Sequence, residues 1–230
     1  MVYIIAEAGV DHEGSYDRAL VLLNSAIKAK ASCFKIQYYA EGFQGEHREL
    51  PWLSKTDIHD LKGVAESKGI DFLITPHDQW ALDFIINETD LHQIKIGSGD
   101  WDLLPAAIDS GKEVIVSTGG HDLDEVMSIE DQVGGILYCV SEYPCPSSHL
   151  DFYQLEKMIH DIRNDIGFSD HTQGTACALA AVGMRAEIIE KHMTLERDIR
   201  GHLDTACSLL PHEWPKFVED IRQIERALAY

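Results

Sequence analysis

Eight short apolar runs, each followed by a helix-like segment, leave this chain few folds to choose from. The runs are Tyr3 to Gly9, Ser32 to Tyr38, Asp71 to Thr75, His92 to Gly97, Glu113 to Ser117, Gly135 to Val140, Asp165 to Ser169 and Ile188 to Thr194. Helical patterning follows each in turn: from a Ser15 cap to Lys30, then Thr56 to Lys68, Trp80 to Asn87, Leu103 to Ser110, Asp124 to Gln132, Asp151 to Arg163, Gly174 to Met184 and Pro211 to Ala229. Strict alternation of this kind implies parallel strands joined by right-handed crossovers. Eight such units close most simply into an α/β fold of the (β/α)8 type, a TIM barrel, as one domain over residues 1–230. A doubly wound open sheet is the alternative, but no Gly-x-Gly-x-x-Gly turn follows the first run. Pro76 is expected to break the third strand.

With 45% hydrophobic residues among 230, the chain can bury one substantial core. Its net charge of −20 argues against nucleic acid or an anionic membrane as partner. No run is long enough to span a membrane, and Met1-Val2-Tyr3-Ile4-Ile5 enters a strand directly, without a signal peptide's basic region. The five cysteines, Cys33, Cys139, Cys145, Cys177 and Cys207, lack tight metal-type spacing and read as reduced thiols of a cytoplasmic protein.

A barrel of this type carries its active site at the C-terminal ends of its strands. There stand Glu7, Lys35 with Gln37, Thr75, Lys95 with Ser98 and Asp100, Ser117 with Thr118, Ser141 with Tyr143, Ser169 with His171, and Glu190 with His192. Residues two apart in a strand share a face, so Lys35 and Gln37 point together, as do Glu190 and His192. An unpaired buried charge is costly. Lys35 and Lys95, set among apolar neighbours and flanked by Thr75, Ser98 and Ser117, therefore read as a phosphate or carboxylate cradle. The competing reading pairs each lysine with Glu7 or Glu190 in a structural ion network. His171 and His192, at the ends of successive strands, are the metal candidates, with Asp170 or Glu190 as a further ligand or as an orienting group. Two imidazoles completed by water and substrate oxygens suit a divalent Lewis acid such as Mn2+ or Zn2+. Glu7 and Asp204 are acid–base candidates. The other ten of the twelve histidines are expected to be solvated on loops and helices.

Several of these stretches resemble, in order, the sialic acid synthase family. They include Ile4 to Ser15 (IIAEAGVDHEGS), Phe34-Lys35-Ile36-Gln37, Ile74-Thr75-Pro76 and Lys95-Ile96-Gly97-Ser98-Gly99-Asp100. Val116-Ser117-Thr118-Gly119, Tyr143-Pro144-Cys145-Pro146, Phe168-Ser169-Asp170-His171-Thr172 and Ile189-Glu190-Lys191-His192-Met193-Thr194 complete the set. The resemblance runs from about residue 3 to about residue 213, and eight collinear motifs make it specific. It implies a TIM-barrel enzyme dependent on Mn2+ or Mg2+, which condenses phosphoenolpyruvate with an N-acylated amino sugar such as N-acetylmannosamine. The products are a nonulosonic acid and phosphate. On that resemblance His171 and His192 hold the metal. Lys35, Thr75, Lys95, Ser98, Ser117 and Ser169 hold phosphoenolpyruvate with Tyr143 beside it, and Gln37 and Asp100 join the substrate-binding set. Glu7 acts near the sugar or an attacking water, and Asp204 contacts the acceptor.

The sequence also departs from the family. Members usually continue for roughly a hundred residues into an antifreeze-like domain, an ordinary domain length, which delivers an arginine to the partner subunit's acceptor. Here the chain ends at Tyr230, Asp11 and Ser141 stand where asparagines are usual, and the loop from Tyr39 to Leu53 is short. The phosphoenolpyruvate half is thus expected to be intact. Three expectations follow for the acceptor half: the acceptor differs, Arg197 or Arg200 substitutes, or a partner protein supplies the missing domain; a homo-oligomer is the other partner expected. Two further readings are a related 3-deoxy-sugar acid synthase acting on a sugar phosphate, and a barrel that binds a phosphorylated ligand without turnover.

Overall fold

The computed structural model of the chain describes residues 1–43, 51–197 and 203–229. Its strands are β1 (Tyr3–Gly9), β2 (Cys33–Tyr38), β3 (Asp71–Pro76), β4 (Gln93–Ile96), β5 (Glu113–Ser117), β6 (Gly135–Tyr138), β7 (Asp165–Asp170) and β8 (Ile188–His192). They alternate with helices α1 (Tyr16–Ala29), α2 (Lys55–Ser67), α3 (Gln79–Glu88), α4 (Leu104–Asp109), α5 (Leu123–Met127), α6 (Phe152–Asp161), α7 (Ala176–Gly183) and α8 (Trp214–Ala227). The parallel sheet runs β3-β2-β1-β8-β7-β6-β5-β4, and β3 packs beside β4 to bring the ring nearly to closure. The expected (β/α)8 barrel is what the chain forms.

Strand alternation divides the apolar residues into two sets. Ile4, Ala6, Phe34, Ile36, Ile74, Ile94, Val116, Ile136, Phe168 and Ile189 point outward into the layer shared with the helices. Ile5, Cys33, Leu73, Ile115, Leu137 and Ile188 point inward and plug the barrel, with Tyr3 packed on them. Each fully buried aliphatic side chain contributes about 1.5–3 kcal/mol. Gly167 supplies β7's place in the plug. A Cβ there would lie 2.4 Å from the Ile188 carbonyl and 2.6 Å from Leu137 Cδ2, so the barrel closes at this height only around glycine.

Local signals set most helix boundaries. Ser15 Oγ accepts the Arg18 N–H to cap α1, and Ser54 and Asp57 form a reciprocal capping box at α2. Elsewhere the structure differs from expectation. Pro76 pairs opposite Tyr38 as the last residue of β3 and does not break it, because a strand's end tolerates a missing N–H. The helix expected over Asp124 to Gln132 divides into α5 and a separate 3-10 turn, Glu130–Gln132; Ser128 Oγ donates back to the Glu125 carbonyl between them. The last helix starts at Trp214, with Pro215 in its first turn, and not at Pro211. Arg200 lies outside the described residues, as do parts of the Tyr39–Leu53 loop and of the Gly201–Ser208 stretch.

Candidate active site

Two residues beyond the apolar plug, the same inward columns turn polar. Ile5 is followed by Glu7, Cys33 by Lys35, Leu73 by Thr75, Ile115 by Ser117, Gly167 by Ser169 and Ile188 by Glu190; Lys95 stands likewise two beyond Gln93. These residues form the floor of a 270 Å3 cavity at the C-terminal ends of the strands. Two residues further on, Gln37, His171 and His192 form its wall, with Ser98, Asp100 and Tyr143 from the loops. Of the residues expected at the site, Asp204, Asp170 and Thr118 do not line this cavity and the others do. Asp204 sits on a 3-10 turn, Leu203–Ala206, with its carboxylate 3.7 Å from His192 Nδ1.

The two lysines have different surroundings. Register places Lys35 opposite Glu7 on the neighbouring strand. Its Nζ lies 3.0 Å from Glu7 Oε2 and 3.3 Å from Glu190 Oε2, and donates to Thr75 Oγ1 at 2.9 Å. Burial works against its charge, but the two carboxylates outweigh burial and raise its pKa. The ion network is therefore present at Lys35. Lys95 has no carboxylate within ion-pair distance among the described residues; it donates to Ser117 Oγ at 2.5 Å and to the Ile96 carbonyl at 3.1 Å. Burial pulls its pKa down, only partly opposed by the more distant Glu190. Lys95 is thus a buried ammonium held by a hydroxyl and a carbonyl, with no carboxylate beside it among the described residues.

Glu190 accepts from Ser169 Oγ at 2.8 Å. Burial pushes its carboxyl up, but the Lys35 and Lys95 ammoniums reverse the shift and hold it down to about 2, against an ordinary 4.5. Its contribution to stability is complete above the unfolded value and is lost as the pH falls toward the folded one. Glu190→Gln is expected to flatten the acid limb of the unfolding free energy between about pH 4.5 and about 2. An unchanged slope in urea titrations across that range would contradict the pairing.

His171 and His192 stand with ring centroids 5.5 Å apart. Burial pushes both imidazoles down to about 4, so both are neutral at physiological pH and able to ligate a metal. His171 Nδ1 contacts the Val140 carbonyl at 2.8 Å, which places the ring proton on Nδ1 and the lone pair on Nε2, itself 3.3 Å from Ser169 Oγ. Two imidazoles bonded to one ion at about 2.1 Å are compatible with this spacing. Among the described residues no three His, Cys, Asp or Glu side chains are grouped so as to hold a metal ion by themselves. Tyr143 packs its ring 4.1 Å from that of His171, and burial raises its phenol well above the ordinary range.

Asp170 does not face the histidines. Strand alternation turns it outward, where it pairs with the fully buried Lys191 at 3.0 Å and accepts from Thr172 N and Oγ1. Arg197 is engaged by both Glu213 oxygens and the Ser208 carbonyl. Asp11 accepts from Thr194, from the Leu195 N–H and from Arg18, tying the first strand's loop to the last one's. Two cavity residues escaped the sequence reading: Cys139, read only as a reduced thiol, and His77, expected to be solvated, which lines the wall with Nδ1 2.9 Å from Asp100 Oδ2. The signal was available, since His77 stands two residues beyond Thr75 on the same inward column.

A barrel with this polar floor and histidine pair is matched by a family model, NeuB, over residues 23–230. The chain belongs to the NeuB family, and it is an enzyme. It is 34% identical to the uncharacterized protein MJ1065 of Methanocaldococcus jannaschii, over 98% of this chain and 72% of that one. It is 31% identical to the N,N'-diacetyllegionaminic acid synthase of Campylobacter jejuni, over 98% and 77%. The crystal structure of N-acetylneuraminic acid synthetase from Leptospira borgpetersenii, solved with citrate, superposes with a TM-score of 0.91 at 32% identity, covering 100% of this chain and 85% of that one. A truncated 3-deoxy-D-arabino-heptulosonate 7-phosphate synthase from Thermotoga maritima, at 16% identity and a TM-score of 0.77, shares the fold. No helix among the described residues of this NeuB-family chain is long and apolar enough to cross a membrane.

Proposed function

We propose that this enzyme joins phosphoenolpyruvate to the aldehyde of an open-chain N-acylated amino sugar, N-acetylmannosamine or a close relative, giving a nonulosonic acid and phosphate in the cytoplasm. The supporting observation is one cavity that holds a carboxylate-free buried lysine among hydroxyls opposite two neutral imidazoles. Lys95, Ser117 and Ser98 bind the anionic groups of phosphoenolpyruvate, and Lys35 with Thr75 closes the other side of the floor. Buried donors aimed at those groups also offset the charge that develops during reaction. His171 and His192 would hold a divalent ion, Mn2+ or Mg2+, which would supply Lewis acidity toward the aldehyde oxygen.

The enol carbon of phosphoenolpyruvate bonds to the aldehyde carbon, and the aldehyde oxygen ends as a hydroxyl. Water adds its oxygen to the former enol-ether carbon, and phosphate departs with its bridging oxygen as that carbon becomes a ketone. Glu7, 3.0 Å from Lys35, is the proton carrier for the water. Tyr143 and Asp204 border the space left for the sugar.

The test is phosphate release from phosphoenolpyruvate with Mn2+ across N-acylated hexosamines and plain aldoses. Release is expected to require one class of sugar. It should fall by roughly three orders of magnitude in His192→Ala, because Lewis-acid assistance is worth several kcal/mol. Release with no sugar, from a chain that still binds Mn2+ and phosphoenolpyruvate, would sink this reading.

A further inference from the structure

β7 ends one residue short of its histidine. Asp170 opposite Lys191 is the last pair between β7 and β8, and His171 lies beyond it, whereas His192 is still paired with Glu7 of β1. The Cys145 N–H donates to the His171 carbonyl at 2.9 Å, which ties this residue to the loop after β6 and not to β8. Strand pairing therefore does not by itself set the spacing of the two rings. A side chain on the outer face of the barrel takes over where the pairing stops. Lys191 Nζ donates to the Asp170 carbonyl at 3.2 Å, to Asp170 Oδ2 at 3.0 Å and to the Thr172 carbonyl at 2.6 Å, so its three donors grip the chain on both sides of His171. Asp170 Oδ1 completes the loop by accepting from Thr172 N and Oγ1 at 2.8 and 2.7 Å.

Stability is a poor reason for this arrangement. The Lys191 and Asp170 side chains are both 0% exposed, and the row of paired residues that continues from Lys191, through Ala6, Phe34 and Phe72, belongs to the apolar core. An apolar pair of similar volume would serve that layer equally well, since removing two charges from water costs about as much as their attraction returns. It would not hold the two carbonyls that flank His171. We propose that Lys191 is a positioning residue for metal binding: its grip on the carbonyls of residues 170 and 172 sets His171 at the spacing from His192 that one divalent ion requires. This deepens the reading of the two histidines as metal ligands and rests on it. Groups that orient a ligand from behind are typically worth about ten- to a hundredfold in metal affinity. Direction separates position from charge: a buried cation near the site repels a metal ion, so charge alone would make binding tighter once Lys191 is removed.

The experiment titrates Mn2+ into the full chain without substrate and follows free Mn2+ by electron paramagnetic resonance, with near-ultraviolet circular dichroism to confirm the fold of each variant. Lys191→Met is expected to weaken Mn2+ binding by about ten- to a hundredfold. The double variant Lys191→Met/Asp170→Asn removes one charge of each sign, so the local net charge is unchanged, and it should show the same loss. Should Lys191→Met not fold, the double variant decides, because it leaves no unpaired carboxylate behind. Binding as tight as the parent's, or tighter, in these variants overturns the proposal; a parent whose binding is abolished in His192→Ala then keeps the histidine reading. A parent that binds no Mn2+, or binds it equally well in His192→Ala, overturns the histidine reading itself, and the proposal with it.

Discussion

Lys95→Met is expected to leave the barrel at least as stable as the parent while lowering phosphate release by roughly three orders of magnitude. The stability half follows from what Lys95 touches. It is 2% exposed, donates to one hydroxyl and one carbonyl, and has no carboxylate in ion-pair range among the described residues. Burial lowers its pKa, so the folded chain holds this proton less tightly than the unfolded one. A lysine shifted in that direction costs stability at neutral pH, and the cost is relieved as the pH rises through the folded value toward the ordinary 10.5. Methionine fills similar volume without the ammonium, so the unfolding free energy should hold within about 1 kcal/mol or rise. The activity half follows from the same surroundings, because a buried ammonium with no carboxylate partner among the described residues is available to a phosphate or carboxylate. Urea midpoints at pH 7 and steady-state phosphate release check the two halves. A variant that lost more than about 2 kcal/mol would show that Lys95 is structural.

Lys35→Met should behave oppositely in stability, with a loss of about 3–5 kcal/mol, the range for removing one partner of a buried ion pair. The cause is the two carboxylates it leaves behind: Glu7 is 1% and Glu190 4% exposed, and both lie within 3.3 Å of Lys35 Nζ. Neutralising one of them in Lys35→Met/Glu190→Gln is expected to recover part of that loss, since a single carboxylate then remains to be solvated. Urea unfolding of the single and double variants decides. A single variant as stable as the parent would mean that the buried triad is not what holds these strand ends together.

Much of the site was legible in the chain because a strand repeats every two residues. Counting inward from Ile5, Cys33, Leu73, Ile115 and Ile188 reaches Glu7, Lys35, Thr75, Ser117 and Glu190, and two steps further Gln37 and His192. The same count beyond Thr75 reaches His77, but Pro76 was expected to break the strand there, which left His77 among the histidines expected to be solvated. Asp170 was misplaced toward the metal for the converse reason. Its neighbours Ser169 and His171 face inward, and alternation sends the residue between them to Lys191 on the outside.

The amino-acid sequence alone determined the barrel and the height at which its interior turns polar, because eight alternating runs admit one simple closure and each run carries its own inward column. It could not distinguish Lys35 from Lys95. Both follow an apolar residue and precede an isoleucine in a short strand, Phe34-Lys35-Ile36 and Ile94-Lys95-Ile96. Ring closure separated them. Sheet order sets β2 beside β1, where register brings Glu7 opposite Lys35, and β8 follows with Glu190; Lys95 on β4 lies across from these, against Ser117 of β5. Local sequence places a charge on the inner face, but its partner comes from strands far away along the chain, and only the closed sheet determines which lysine is neutralised and which is left for the ligand.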